Sequence, residues 1–163
     1  MAHHKLVLDD DLEEDYSLIA IHCSEEAYKM AFLLNHKLQL RLQRRRLDLD
    51  FTQDGLEVTF PIFRFENEQL YSTYYLVSNK CHSRQAHLGS AAGLFSEETT
   101  TKNVTTYLLP EFKKVDYLIK IETDFENTPI RKTLSQVQEI KEVISAYVVE
   151  SEHIKSKKNL IFH

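Results

Sequence analysis

The spacing of hydrophobic positions changes repeatedly along this chain, and each change marks an element. Tyr16 to Cys23 is apolar on both faces, which predicts a central strand. From Ser24 the spacing switches to threes and fours: Ala27, Met30, Ala31, Leu34 and Leu38 form one stripe of a helix ending near Leu38, with Ser24 as its N-cap and Glu25 and Glu26 at its positive end. Leu38, Leu40 and Leu42 alternate, Arg44 to Arg46 interrupt, and Leu47, Leu49 and Phe51 resume the alternation in the other phase. Asp54-Gly55 is a hairpin signal, and Leu56, Val58, Phe60 and Ile62 carry the return strand. Pro61 inside that strand predicts an edge position or a bulge. A turn at Glu66 to Glu68 leads to a third antiparallel strand, Leu70 to Ser78, rich in tyrosine.

Residues 80–108 read as a long surface loop, with Gly89, Gly93 and a Glu-Glu-Thr-Thr-Thr run, pinned by Leu88, Leu94 and Phe95. Pro110 then punctuates the chain, and a period-two segment follows in which Val115, Tyr117, Ile119 and Ile121 share one face while Asp116, Lys120 and Glu122 share the other. Pro129 opens a helix from about Ile130 to Glu142, with Ile130, Leu134, Val137 and Ile140 inward, and residues 143–150 read as a strand rather than as more helix. Residues 1–15 form a leading arm, apolar at Leu6 to Leu8 and then acidic. The order predicts one α+β domain over residues 1–163: a mostly antiparallel sheet with two helices packed on one face, ferredoxin-like or ACT-like in part, over residues 115–150.

Composition narrows the class without naming a function. The chain has 163 residues, 42 % hydrophobic and 28 % charged, enough for one well-buried core. A net charge of −5 gives no general attraction to nucleic acid or anionic lipid. No apolar run approaches the roughly 20 residues of a membrane helix, and the N-terminus lacks a secretory pattern, so the expected address is the cytoplasm, with no membrane partner and with Cys23 and Cys81 as separate thiols.

Candidate chemistry is sparse. The only local metal-type cluster, Cys81-His82 with His87, lacks a fourth ligand nearby, and His22 and Cys23 point to opposite strand faces, so no metal and no cofactor is expected. There is no nucleophile elbow, three glycines cannot make a P-loop, and no catalytic residue can be named, which leans away from an enzyme. Asp48 with Asp50, and Asp116 with Glu122, read as solvated outward carboxylates. The densest basic patch, Arg41 with Arg44, Arg45 and Arg46, is a candidate RNA contact if Phe60, Phe63, Phe65, Tyr71, Tyr74 and Tyr75 offer stacking platforms; core packing for the aromatics is the preferred reading.

Leu109-Pro110-Glu111, then Val115-Asp116-Tyr117, resembles the signature of the IPExxxVDY family, with Leu109 in place of the usual first isoleucine. Lys155-Ser156-Lys157-Lys158-Asn159-Leu160-Ile161-Phe162 is similar to that family's Lys-Ser-Lys-x-Asn-Leu-Ile-Phe ending, and Leu33-Leu34-Asn35 and Tyr75 to Lys80 are fainter echoes. The resemblance implies a bacterial protein of an uncharacterised family and brings no activity, substrate or cofactor with it. Pro110, Glu111, Val115, Asp116 and Tyr117 are then either structural or contact residues. Structural roles are preferred: a helical turn begun by Pro110 and Glu111, a loop held by Asp116, a Tyr117 ring buried with its hydroxyl bonded. The expected function is non-catalytic, through protein–protein contact or small-ligand regulation, with an RNA-associated accessory factor as the alternative; partner and oligomeric state are unwritten. Leu160, Ile161 and Phe162 are expected to dock on the chain's own core.

Overall fold

A computed structural model describes residues 16–53, 56–86, 101–124 and 129–162. The acidic arm, the Asp54-Gly55 turn and the anchors Leu88, Leu94 and Phe95 lie outside the described residues. The strands are β1 (Tyr16–Cys23), β2 (Gln43–Arg44), β3 (Leu49–Gln53), β4 (Leu56–Phe60), β5 (Ile62–Asn67), β6 (Ser72–Ser78), β7 (Lys80–Ala86), β8 (Thr101–Tyr107), β9 (Tyr117–Thr123) and β10 (Val143–Val149), with helices α1 (Ala27–Leu38) and α2 (Ile130–Gln138). Six strands form one sheet in the order β10-β1-β9-β6-β5-β2, every neighbouring pair antiparallel; β3 with β4 and β7 with β8 make two-stranded ribbons. The chain is therefore α+β, mostly antiparallel, with two helices.

The order β10-β1-β9-β6 has a simple origin. β1 and β6 run parallel with β9 between them, and β9 and β10 run parallel with β1 between them. Two strand–helix–strand crossovers, one through α1 and one through α2, thus interlock as in a ferredoxin-like sheet, a pattern wider than the stretch 115–150 in which it was expected.

Both faces of the sheet are buried, which is why β1 carries apolar residues on both of its faces. Ile19, Ile21 and Cys23 point to one face with Leu76, Ile119 and Ile121, where Met30, Ala31 and Leu34 of α1 and Val137 of α2 cover them. Leu18 and Ala20 point to the other with Val77 and Leu118, under Val58, Phe60, Leu108, Leu109, Val115, Ile154, Leu160 and Phe162. The C-terminal segment therefore docks on its own chain.

Several expectations move. Glu26 stands at the N-cap of α1 with extended backbone and no side-chain cap, so Ser24 does not start the helix; the Glu25 carbonyl just ahead is held by the Tyr117 hydroxyl. Leu38 to Leu42 is no strand, because the Asn35 side chain clasps Leu42 at both its N–H (2.8 Å) and its carbonyl (3.0 Å). Pro61 is a corner where the chain leaves the β3–β4 ribbon for the main sheet, with Phe60 and Ile62 buried on either side. The third strand begins at Ser72, since the Asn67 carboxamide accepts from the N–H groups of Gln69 (3.1 Å) and Leu70 (3.2 Å) and holds that turn open longer. α2 stops at Gln138 rather than Glu142, because residues 139–142 reverse the chain into β10.

The described parts of the segment 80–108 are strands rather than loop. Lys80 to Ala86 pairs residue by residue with Thr101 to Tyr107. β8 carries three threonines and Val104, so β-branched propensity rather than apolar alternation builds this strand, and its partner β7 is mostly polar.

Candidate functional site

Leu109 and Val115 of the signature pack on the face of the sheet opposite the helices, whereas Tyr117 packs on the helix face. Pro110 to Phe112 form a single 3-10 turn after extended Leu109, as proline at the first position favours. The Glu111 carboxylate does not cap that turn's own start alone. Its Oε1 accepts from the backbone N–H groups of Lys155 (2.8 Å) and Ser156 (2.9 Å), and its Oε2 accepts from the Ser156 hydroxyl (3.0 Å). Burial pushes this carboxyl up, but the donors from Ser156 and Lys155 outweigh burial and hold it below its ordinary value.

Asp116 is not a solvated carboxylate. Its Oδ2 accepts from the Cys23 N–H at 3.0 Å and its Oδ1 from Lys80 Nζ at 2.7 Å. Tyr117 buries its ring on the helix side and donates its hydroxyl to the Glu25 carbonyl; burial first, then the nearby Cys23 and Asp116, push its phenol up to about 12. Val115 is buried on the opposite face, so it does not share a face with Tyr117, Ile119 and Ile121.

Asn79 joins these parts and sequence reasoning gave it no role. It is fully buried, its Nδ2 donates to the carbonyls of Phe112 (2.8 Å) and Val115 (3.0 Å), and its Oδ1 accepts from the Leu109 N–H (2.8 Å). Its backbone N–H bonds the Asp116 carbonyl and its carbonyl takes the Leu108 N–H. Asn159 in turn donates to the Leu108 carbonyl at 2.7 Å. The place of Asn79 in the faint family echo Tyr75 to Lys80 was the signal the sequence offered. The stretches Tyr75 to Lys80, Leu109 to Tyr117 and Lys155 to Phe162, far apart in sequence, thus bond to one another.

Lys120 lies on the face the alternation gives it, opposite Ile119 and Ile121, but is buried there. It is only 2 % exposed, with Nζ donating to Glu122 Oε1 (2.6 Å) and to the Leu160 carbonyl (2.9 Å). Tyr16, Phe162 and Tyr75 surround that ammonium with ring centroids at 4.8, 5.2 and 5.9 Å, a cation–π enclosure in place of solvent.

Besides a groove of about 250 Å³ lined in part by Pro110 and Lys113, two more are open among the described residues. The larger, about 740 Å³, is lined by Tyr16, Glu66, Glu68, Tyr71, Glu122 and Asp124 among others, yet Glu66 pairs with Arg64 and Glu122 with Lys120. A smaller one, about 390 Å³, gathers Arg41, Arg44 and Arg45 with Arg64 and Phe65; Arg46 does not line it. Asp48, read as solvated, binds Arg44 through two hydrogen bonds, and Asp50 accepts from the Thr59 hydroxyl. Of the meander aromatics, Phe60, Phe63, Tyr74 and Tyr75 are buried in the two cores and cannot present faces to bases, whereas Tyr71 is exposed and Phe65 is half-buried. Cys23 and Cys81 are free thiols, and burial pushes the Cys23 thiol up. Among the described residues no three of His, Cys, Asp and Glu gather as a metal-binding group, and no helix is long and apolar enough to cross a membrane.

The remaining surface feature is β10. It borders the sheet, its outer edge has no strand partner among the described residues, and Ile144, Tyr147 and Val148 are 74, 40 and 39 % exposed. The Tyr147 ring leans on His22 with centroids 5.7 Å apart. No protein-family model, no curated protein and no solved structure matches this chain.

Proposed function

We propose that this chain is a non-catalytic, cytoplasmic protein of the IPExxxVDY kind that acts by protein–protein contact, taking an extended segment of its partner along the outer edge of β10. The apolar edge carries this reading. Natural sheet edges are blunted by charges, proline or short strands, because unpaired backbone groups recruit other chains. The opposite edge obeys that rule, since β2 is two residues long and bears Arg44. β10 does not: Val143 to Val149 contains neither charge nor proline. Strand addition supplies main-chain bonds for affinity and side-chain pockets for selectivity. Glu142 and Glu150 bracket the strand and favour a partner segment with basic residues at its ends. Glu111, Asp116 and Tyr117 spend their polar atoms inside the fold, which supports a structural role for the family-like residues.

A photo-crosslinking residue in place of Tyr147, expressed in the native host, tests the proposal. The expected result is a discrete protein adduct that disappears with Ile144→Lys while thermal stability is kept. No adduct at 147, or the same adduct from a crosslinker at the exposed Leu47, refutes strand addition at this edge.

A further inference from the structure

The arginine groove lies at the other end of the sheet and goes beyond the contact surface proposed for β10. We propose that it binds a nucleotide unit, with the phosphate on Arg41 and Arg45 and the base against Phe65. The arginines come from three places: Arg41 precedes β2, Arg44 and Arg45 lie in and just after it, and Arg64 sits on β5. Two are already fixed. Arg44 is held by Asp48 at 2.7 Å, and Arg64 is held by Glu66 at 2.9 Å with its guanidinium 6.0 Å from the Tyr75 ring centroid. Arg41 and Arg45 have no carboxylate partner among the described residues. Four guanidinium groups therefore face two carboxylates, a local cationic excess in a chain whose net charge is −5.

Blunting of a sheet edge explains Arg44 on β2 but not why arginines from separate segments line one concavity with an aromatic ring. Planar guanidinium forks match phosphate oxygens, and two uncommitted forks beside two braced ones leave donors free for an incoming anion. Phe65 adds a half-buried ring, packed on Tyr74 with centroids 6.3 Å apart, whose exposed part an acidic peptide would not need and a base would use. The volume, about 390 Å³, falls within the roughly 300–1,000 Å³ usual for small-ligand sites. The same chemistry is offered by a free nucleotide and by one unit of a single strand.

Fluorescence anisotropy and calorimetry on the full chain at low salt decide between them, with uridine monophosphate, a short oligouridylate, inorganic phosphate and polyglutamate as probes. Saturable binding is expected for at least one nucleotide probe. Arg41→Gln and Arg45→Gln should each weaken it roughly tenfold, the loss of one charge-assisted contact, and Arg46→Gln should leave it unchanged. Arg45→Lys, which keeps the charge without the fork, should fall in between, and Phe65→Leu should weaken the nucleotide probes but not inorganic phosphate. Tighter binding of the oligomer assigns the site to a strand, and equal binding of the monomer assigns it to a free nucleotide. The proposal is overturned if neither nucleotide probe binds, if Arg46→Gln costs as much as Arg45→Gln, or if polyglutamate binds as tightly as oligouridylate. Melting curves of each variant separate lost binding from lost fold.

Discussion

The two faces of the central sheet are equally buried but differently made. On the helix side, Ile19, Ile21, Leu34, Leu76 and Val137 pack by shape, and the elements that supply them follow each other through two crossovers. On the other side the cover consists of a ribbon, one 3-10 turn and a C-terminal segment, of which only the ribbon pairs its own backbone in a ladder. There the closure depends on Asn79, Glu111, Asp116 and Lys120, each bonded to residues distant in sequence. Apolar burial without direction suffices where helices meet their own hydrogen bonds. Irregular chain brought into a core needs named donors and acceptors, because a buried unpaired group costs about 1–3 kcal/mol. The family-like residues belong almost wholly to this second kind.

The contrast can be broken most forcefully at the C-terminal segment. Replacing both Leu160 and Phe162 with alanine should cost about 4–6 kcal/mol in denaturant unfolding, from two core cavities and the uncovering of Lys120. The loss should not depend on protein concentration. A loss below that of Leu34→Ala on the helix side, or one that vanishes at high concentration, would mean that the segment is an accessory cover or an interface element.

Asn79→Ala sharpens the comparison. It leaves the Leu109 N–H and the carbonyls of Phe112 and Val115 without their partner, so about 3 kcal/mol should be lost. Asn79→Asp should be no better, because a carboxylate cannot donate to those two carbonyls. Rescue by aspartate in the same unfolding measurement would show that a single acceptor, rather than the full set of bonds, holds the region.

The smallest effect is expected at Glu111. Its folded carboxyl lies below the ordinary value of 4.5, so its stabilisation is complete above that pH and is lost as pH falls through the lowered folded value. Glu111→Gln should cost about 1–2 kcal/mol at neutral pH and flatten the acid limb of the stability profile. If wild type and Glu111→Gln lose stability in parallel below pH 4.5, the carboxylate is not the acid-sensitive staple.

What could be read from the chain follows the same division. The periodicity of β1, α1, α2, β9 and β10 reports burial against a regular neighbour, and so the α+β class, the central strand and the strand at 143–150 were legible. The β7–β8 ribbon was not, because Lys80 to Ala86 is mostly polar and the threonines of Thr101 to Tyr107 carry no apolar alternation. Lys120 was grouped with Asp116 and Glu122 on the same rule, which sees charge but not an aromatic enclosure supplied by Tyr16, Tyr75 and Phe162. The arginine cluster was visible as a run, but its groove substitutes Arg64 for Arg46, since cross-strand neighbours rather than sequence neighbours share a concavity. The apolar edge was visible as composition only; that β10 is an edge is a fact of topology.

The bond from the Cys23 N–H to Asp116 spans 93 residues, and that from the Lys155 N–H to Glu111 spans 44. Such contacts reward the chain only after the loops between them have been closed. The helix-covered side also needs β1 to meet β9 and β10 over long separations, but the staple at Glu111 can form only after the covering turn and the C-terminal segment have both reached that sheet, which predicts that it comes late on the folding route. A late bond protects against opening more than it hastens closing. The Glu111→Gln chain should accordingly fold at nearly the parent rate and unfold faster in stopped-flow denaturant jumps; a slowed folding limb would place the staple in the nucleus instead. On this route the staple sets how long the chain stays folded more than how soon it folds.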